Sequence, residues 1–476
     1  MSRWIRHIIV AAVALTGALL LAWWLLFDPG RTIVVSLPGA DNRPPRADTA
    51  REIIQIGEYF YAPGGQITPL TESWPRFRGA GFDNISTTKF RLIDRFDGQI
   101  PKIVWHKELG EGHAGAAIYQ GEVYLLDYDE TLRADLLRCF NLTDGSEVWQ
   151  RGYRLTIRRN HGMSRTVPAV TDKYVVTLGP RGHVMCVDRA TGDFRWGYDT
   201  ELEHSPEIPF WYTGQCPLVD QNMAIIATGG KTFIVAINCD TGERVWATPN
   251  PGNWTMSHSS IMPMTFAGRK MYVYSAVGGV IGIAADGPDA GRTLWTTTAW
   301  NKSVVAPSPV CMPDGRIFLS AGYGAGSMMI RLIPNENRFD VEVLDHYGPA
   351  EGLASEQQTP IYFKGHLIGI QPKDAGALRN QLICVNPTSP RNPVWTSDKG
   401  SRFGLGPYLI ADNKLFILSD DGTLTIVKPD INSYVQLDQI KLFDGQDAWA
   451  PIAVADGYMV LRDSKYLFCL MMGGGS

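Results

Sequence analysis

The stretch CVDRATGDFRW, residues 186–196, decides the fold, because its phrase keeps returning along the chain. It comes back as CFNLTDGSEVW (139–149) and AINCDTGERVW (236–246), and more loosely as AADGPDAGRTLW (284–295) and CVNPTSPRNPVW (384–395). Each copy ends in Trp, and Trp105, Trp149, Trp196, Trp246 and Trp295 follow one another at intervals of 44, 47, 50 and 49 residues. The next interval, to Trp395, is 100, so one unit there lacks its Trp. RLIPNENRFDVEVLD (331–345) fills that place, with Val341 near the missing position, and IVKPDINSYVQLD (426–438) is a further degenerate copy. A repeat of this length points to a propeller or a solenoid.

Within a unit the period is that of strands. In TVPAVTDKYVVTLGPRGHVMCVDRATGDFRW (166–196), three β-rich segments alternate with turn residues at Asp172-Lys173, Gly179-Pro180 and Thr191-Gly192, and the Trp closes a fourth strand. In the Asp-x-x-Thr-Gly turn the Asp side chain accepts backbone N–H bonds, and Gly takes the positive φ that a β-carbon would penalise. Four antiparallel strands repeated radially make an all-β propeller. Eight inner-strand starts can be counted, which predicts eight four-stranded antiparallel blades, with seven as the alternative. Trp105, in PKIVWHKEL, precedes the strands of its own unit, which are found only at the C-terminal end in KYLFCLMM. The ring is therefore expected to close by joining one N-terminal strand to three C-terminal ones, which removes the exposed edges.

Composition bounds the rest. A net charge of −4 gives no concentrated basic surface, so no nucleic-acid partner is expected. Arg3 and Arg6 precede an uncharged run from Ile8 to Phe27, whose length as a helix, about 30 Å, matches a bilayer core. Residues 8–27 read as a single-pass signal anchor with residues 1–7 in the cytoplasm, which puts the remainder on the periplasmic side of a bacterial inner membrane. Residues 28–73 read as a tether, in which Ile53, Ile54, Ile56 and Phe60 recur at roughly helical spacing and suit docking on the propeller or a partner. Residues 74–472 form the propeller and 473–476 a flexible tail. The cysteines Cys139, Cys186, Cys384 and Cys469 recur in one strand context and read as small core residues.

The repeated phrase resembles the tryptophan-docking motif of the pyrroloquinoline-quinone (PQQ)-like propellers, and SWPRFRGAGFDNIS (73–86) resembles their N-terminal signature. The resemblance implies that Trp105, Trp149, Trp196, Trp246, Trp295 and Trp395 form a structural girdle. One branch of that family holds PQQ and Ca²⁺ in a central funnel and oxidises alcohols or sugars; the other, BamB-like, is non-catalytic. The catalytic branch often clamps its quinone against a disulfide of adjacent cysteines, and this sequence has no adjacent pair. A non-catalytic scaffold for envelope proteins or a small funnel ligand is the expectation, without cofactor, metal or catalytic residue. The alternative is a PQQ-dependent dehydrogenase. Loops entering the first strand of each blade carry the candidate ligand-binding residues Arg165, Trp211, Trp254, His258, Trp300, Glu356 and Trp449. His113, His161, His204 and His258 come from four separate loops and lack close metal-ligand spacing.

Overall fold

The computed structural model describes residues 3–26 and 53–473. The first of these is one helix, Arg3–Leu26, long and apolar enough to cross a membrane. It and the β-structure are separate compact units that divide at Ile53. The anchor's last residue, Phe27, most of the expected tether and the final GGS lie outside the described residues.

The β-unit contains eight sheets, each built on four sequential antiparallel strands except the one that closes the ring. That sheet joins Ile103–Glu108 to the C-terminal strands, with Trp105 opposite Cys469. The fold is thus an eight-bladed propeller, and the alternative of seven is set aside. Second and third strands are buried along nearly their whole length, as in Tyr174–Leu178 and His183–Asp188, while fourth strands alternate and face outward.

The docking phrase now has a physical account. Asp188 Oδ1 accepts the N–H groups of Ala190 and Thr191 at 3.1 Å each, and Asn238 repeats the turn for Asp240 and Thr241. The Gly that follows takes a positive φ, such as +72° at Gly192 and +76° at Gly242. That Gly is the seat for the preceding blade's Trp: Trp149 lies on Gly192, Trp196 on Gly242 and Trp246 on Gly291. Across its own hairpin each Trp faces a small residue, namely Cys139, Cys186, Ala236, Gly282, Cys384 or Cys469. The recurrent cysteines are there for their size. All seven are free thiols, and six are buried. The unit without Trp offers no Gly seat either: Trp295 packs instead in a cluster with Phe339 and donates Nε1–H to Met271 Sδ at 3.4 Å.

Two segments differ from the sequence reading. Ile53 to Phe60 is not helical: Gly57 has φ +82°, and Tyr59–Tyr61 adds a strand to the outer edge of the first blade, pairing Tyr59 with Gly152. The open edge of Glu147–Arg154 offers backbone partners that a helix there would leave unused. Ile54 and Ile56 do pack on the propeller, and Phe60 lies under Arg151 at 4.0 Å. On the opposite, innermost edge, Ser73–Trp74 pairs with Ala117–Tyr119, so the following chain runs inside the ring. Pro75 O accepts from Val170 N (2.8 Å), Arg76 donates to Val219 O (3.1 Å), and Ile85 bridges Ile410 in parallel. Arg78, buried, donates to the carbonyls of Phe82, Thr359 and Pro360 at 2.8–3.2 Å. Residues 73–86 therefore cross the bore and tie together first strands from blades that are far apart in sequence.

Candidate functional site

The loops that enter the first strands converge at the end of the bore opposite this inner segment. They enclose a cavity of about 510 Å³, to whose lining the inner segment contributes Phe77. The inner segment therefore forms part of the cavity wall.

Of the seven candidate residues, Arg165, Trp211, His258, Glu356 and Trp449 line this one cavity. The structure places the other two outside it. Trp254 is buried against Phe233, with ring centroids 5.8 Å apart, and stacks over Gly278 and Gly279. Trp300 is fully buried between blades and carries Lys302 Nζ 5.1 Å from its ring. His204 also lies elsewhere, bonding Tyr198 Oη at 2.8 Å.

Within the cavity, Trp449 is held by its Nε1–H to Asp420 Oδ1 (3.0 Å) and stacks with His113 at 5.0 Å. His161 meets it edge-on at 5.5 Å, and Lys373 Nζ lies 5.6 Å from its ring. On the other side, Arg165 donates to Trp211 O and His161 O at 2.6 Å each, and among the described residues no carboxylate stands within ion-pair distance of it. Burial pulls its guanidinium down to about 10. Burial, then Arg165, holds His258 down to about 4 and His113 to about 3, so both imidazoles are neutral at pH 7. Among the described residues, neither His113 Nδ1 nor His258 Nε2 has a hydrogen-bond partner. The rim is aromatic: Phe210 is 77% exposed, Trp211 meets it at 5.4 Å, and Tyr323, 59% exposed, stacks on Trp211 at 6.1 Å.

Sequence reasoning missed Tyr323, Lys373 and Asp374, because they sit in turns between second and third strands rather than before first strands. It also missed Phe77. The signal for that residue was SWPRFRGAGF itself, an aromatic and Arg-rich stretch too polar in pattern for a blade strand.

A bound quinone would need cations for its carboxylates, a flat aromatic platform and oxygen ligands for a metal ion. Arg165, Lys373 and Trp449 match the first two. For the third the cavity offers the carboxylates of Glu356 and Asp374, while among the described residues the one group of three converging carboxylate, imidazole or thiol ligands lies at His183, Asp199 and Glu201, outside the cavity. No reaction step is therefore derived through a quinone.

A family profile described as "Outer membrane protein assembly factor BamB" matches residues 85–248 and 133–331, more than half of the chain. The fold is similar to that of BamB from Moraxella catarrhalis, at 12% identity over 78% of this chain and 100% of that one, with a TM-score of 0.52. It is similar also to a europium-containing methanol dehydrogenase, at 11% identity over 84% of this chain and 98% of that one, with a TM-score of 0.56. At such identities the likeness is one of fold. No curated protein sequence matches the chain.

Proposed function

This chain belongs to the BamB family of PQQ-like propellers, and on that premise we propose that it is a membrane-anchored, non-catalytic scaffold that binds an envelope protein at its funnel face. The observation that carries the reading is the aromatic rim of Phe210, Trp211 and Tyr323 at the cavity, where Phe210 and Tyr323 stand exposed. Large exposed aromatics are the residues that anchor protein interfaces, and a pocket beneath them takes a partner's side chain. The cationic Arg165 and Lys373 favour an acidic or aromatic group in that pocket. On this reading the helix Arg3–Leu26, long and apolar enough to cross a membrane, is the anchor, and Arg3 and Arg6 ahead of its apolar run favour a cytoplasmic N-terminus with the propeller on the periplasmic side of the inner membrane. Relatives described as outer-membrane assembly factors agree with an envelope role.

A photo-cross-linking residue placed at Phe210 in the full-length protein in cells tests this. It should trap a defined envelope protein, lost on Trp211→Ala, that the same probe at Val245 on an outer strand does not trap. Saturable quenching of tryptophan fluorescence by PQQ with Ca²⁺, with dye reduction on adding alcohols and no specific cross-link, would replace the scaffold by a dehydrogenase.

A further inference from the structure

The funnel cavity holds apart two charges that could have neutralised one another. Arg165 and Glu356 both line it, yet among the described residues neither stands within ion-pair distance of an oppositely charged side chain. Each is fixed by its own surroundings. Arg165 donates Nε–H to Trp211 O at 2.6 Å and Nη2–H to the carbonyls of Asn160, His161 and Gly162 at 2.6–3.5 Å. Its Nη1 is left with no hydrogen-bond partner among the described residues. Glu356, buried, lies across Gly322, where a β-carbon would run into its Cγ. Its Oε2 accepts the N–H of Lys373 at 3.3 Å, and its Oε1 has no partner among the described residues.

Tyr323, the residue after Gly322, registers both charges. Burial raises its hydroxyl, Glu356 adds to that, and Arg165 opposes it. The two charges therefore act on the same part of the cavity. Charges in a low-dielectric pocket are ordinarily paired, and a pair kept apart by its own anchors is preorganised for a ligand that brings both counter-charges. The balance of the wall agrees. Two cations, Arg165 and Lys373, face two carboxylates, Glu356 and Asp374, and His113 and His258 add no charge at pH 7. Lys373 and Asp374 are exposed neighbours on one turn, which leaves Arg165 and Glu356 as the inner pair. A carboxylate by itself answers Arg165 and leaves Glu356 unmatched, and an amine by itself does the reverse.

We propose that the cavity binds a zwitterion, a free amino acid or a short peptide, with its carboxylate on Arg165 Nη1, its ammonium on Glu356 and its apolar side chain among Phe77, Trp211, Leu405 and Trp449. At about 510 Å³ the cavity lies within the range of small-ligand sites, about 300–1,000 Å³. Phe210 on the rim is not part of its wall, so a protein can dock there whether or not the zwitterion is bound.

Leucine, phenylalanine and their di- and tripeptides are titrated into the full-length protein in detergent, with tryptophan fluorescence as the readout. At least one should quench saturably, and the length that binds best separates free amino acids from peptides. Its N-acetyl and C-terminal amide derivatives, each lacking one charge, should bind about tenfold more weakly or worse, the loss expected for one hydrogen bond to a charged group. Glu356→Gln should bind the zwitterion and the N-acetyl derivative alike, and Arg165→Met should bind the zwitterion and the amide alike, whereas mere structural damage would weaken all three together. If Arg165→Met does not fold, the derivatives on the native protein and Glu356→Gln decide. No saturable quenching below about 1 mM, blocked derivatives that bind as well as the parent, or a folded Glu356→Gln that still rejects the N-acetyl derivative would overturn the site.

Discussion

Gly242 carries two separate constraints, and they can be measured apart. Its φ is +76°, and a β-carbon there would lie 2.7 Å from Trp196. Gly268 has nearly the same φ, +74°, but open space around it. Gly268→Ala therefore reports backbone strain alone, about 1 kcal/mol, whereas Gly242→Ala adds the displaced indole, for a total of about 2–4 kcal/mol. Chemical denaturation of the two variants should give that difference. Equal losses would mean that the indole moves aside freely and that the girdle is not tightly seated. The same crowding explains the residues opposite each Trp: a β-carbon on Gly282 would lie 2.1 Å from Trp295 Nε1, so only a small side chain fits across the hairpin.

Among the elements, the inner segment 73–86 is the one that ties separate blades together and lends Phe77 to the cavity lining. Arg78 is its tie: a buried guanidinium with carbonyl acceptors from its own turn and from the residues leading into the sixth blade. Burial draws it down to about 10, which leaves it charged at pH 7. Arg78→Met keeps the aliphatic bulk and removes the donors, leaving Thr359 and Pro360 carbonyls unsatisfied. The expected loss is about 3 kcal/mol or more, read as a fall in denaturation midpoint. A loss under about 1 kcal/mol would show that the segment is a passive filler. The outer strand Tyr59–Tyr61 has a simpler part, since it covers the edge of Glu147–Arg154 that would otherwise pair with another chain.

For the whole molecule, the funnel histidines set how stability responds to acid. His113 and His258 are held at about 3 and about 4, below the ordinary 6.5, first by burial and then by Arg165. A folded-state value below the unfolded one means that the unfolded chain takes up the proton first. Their contribution is thus complete above pH 6.5 and is lost as pH falls toward 4. The melting temperature should decline over that window, and His258→Gln should make the decline shallower. A profile unchanged by that substitution would show that His258 protonates freely in the folded funnel. Ring closure makes such a local effect global, because Ile103–Glu108 joins the C-terminal strands and leaves no free end from which one blade can peel away.

The fold was legible because its repeat is a local device. An Asx turn, a Gly with positive φ and a Trp at a fixed offset are all decided within about a dozen residues, so the phrase could be counted and the ring closed on paper. The apolar helix Arg3–Leu26 was legible for the same reason, since its length and apolar run are local. The site was legible only in part. Loops entering first strands are common to every blade, and that pointed to Arg165, Trp211, His258, Glu356 and Trp449. Nothing local distinguishes these from Trp254 and Trp300, whose indoles pack into buried clusters of the core. Tertiary structure alone decided that SWPRFRGAGF runs through the bore, that Phe77 lines the pocket, and that His183 meets Asp199. Each depends on partners distant in sequence or on a turn whose spacing no single segment encodes.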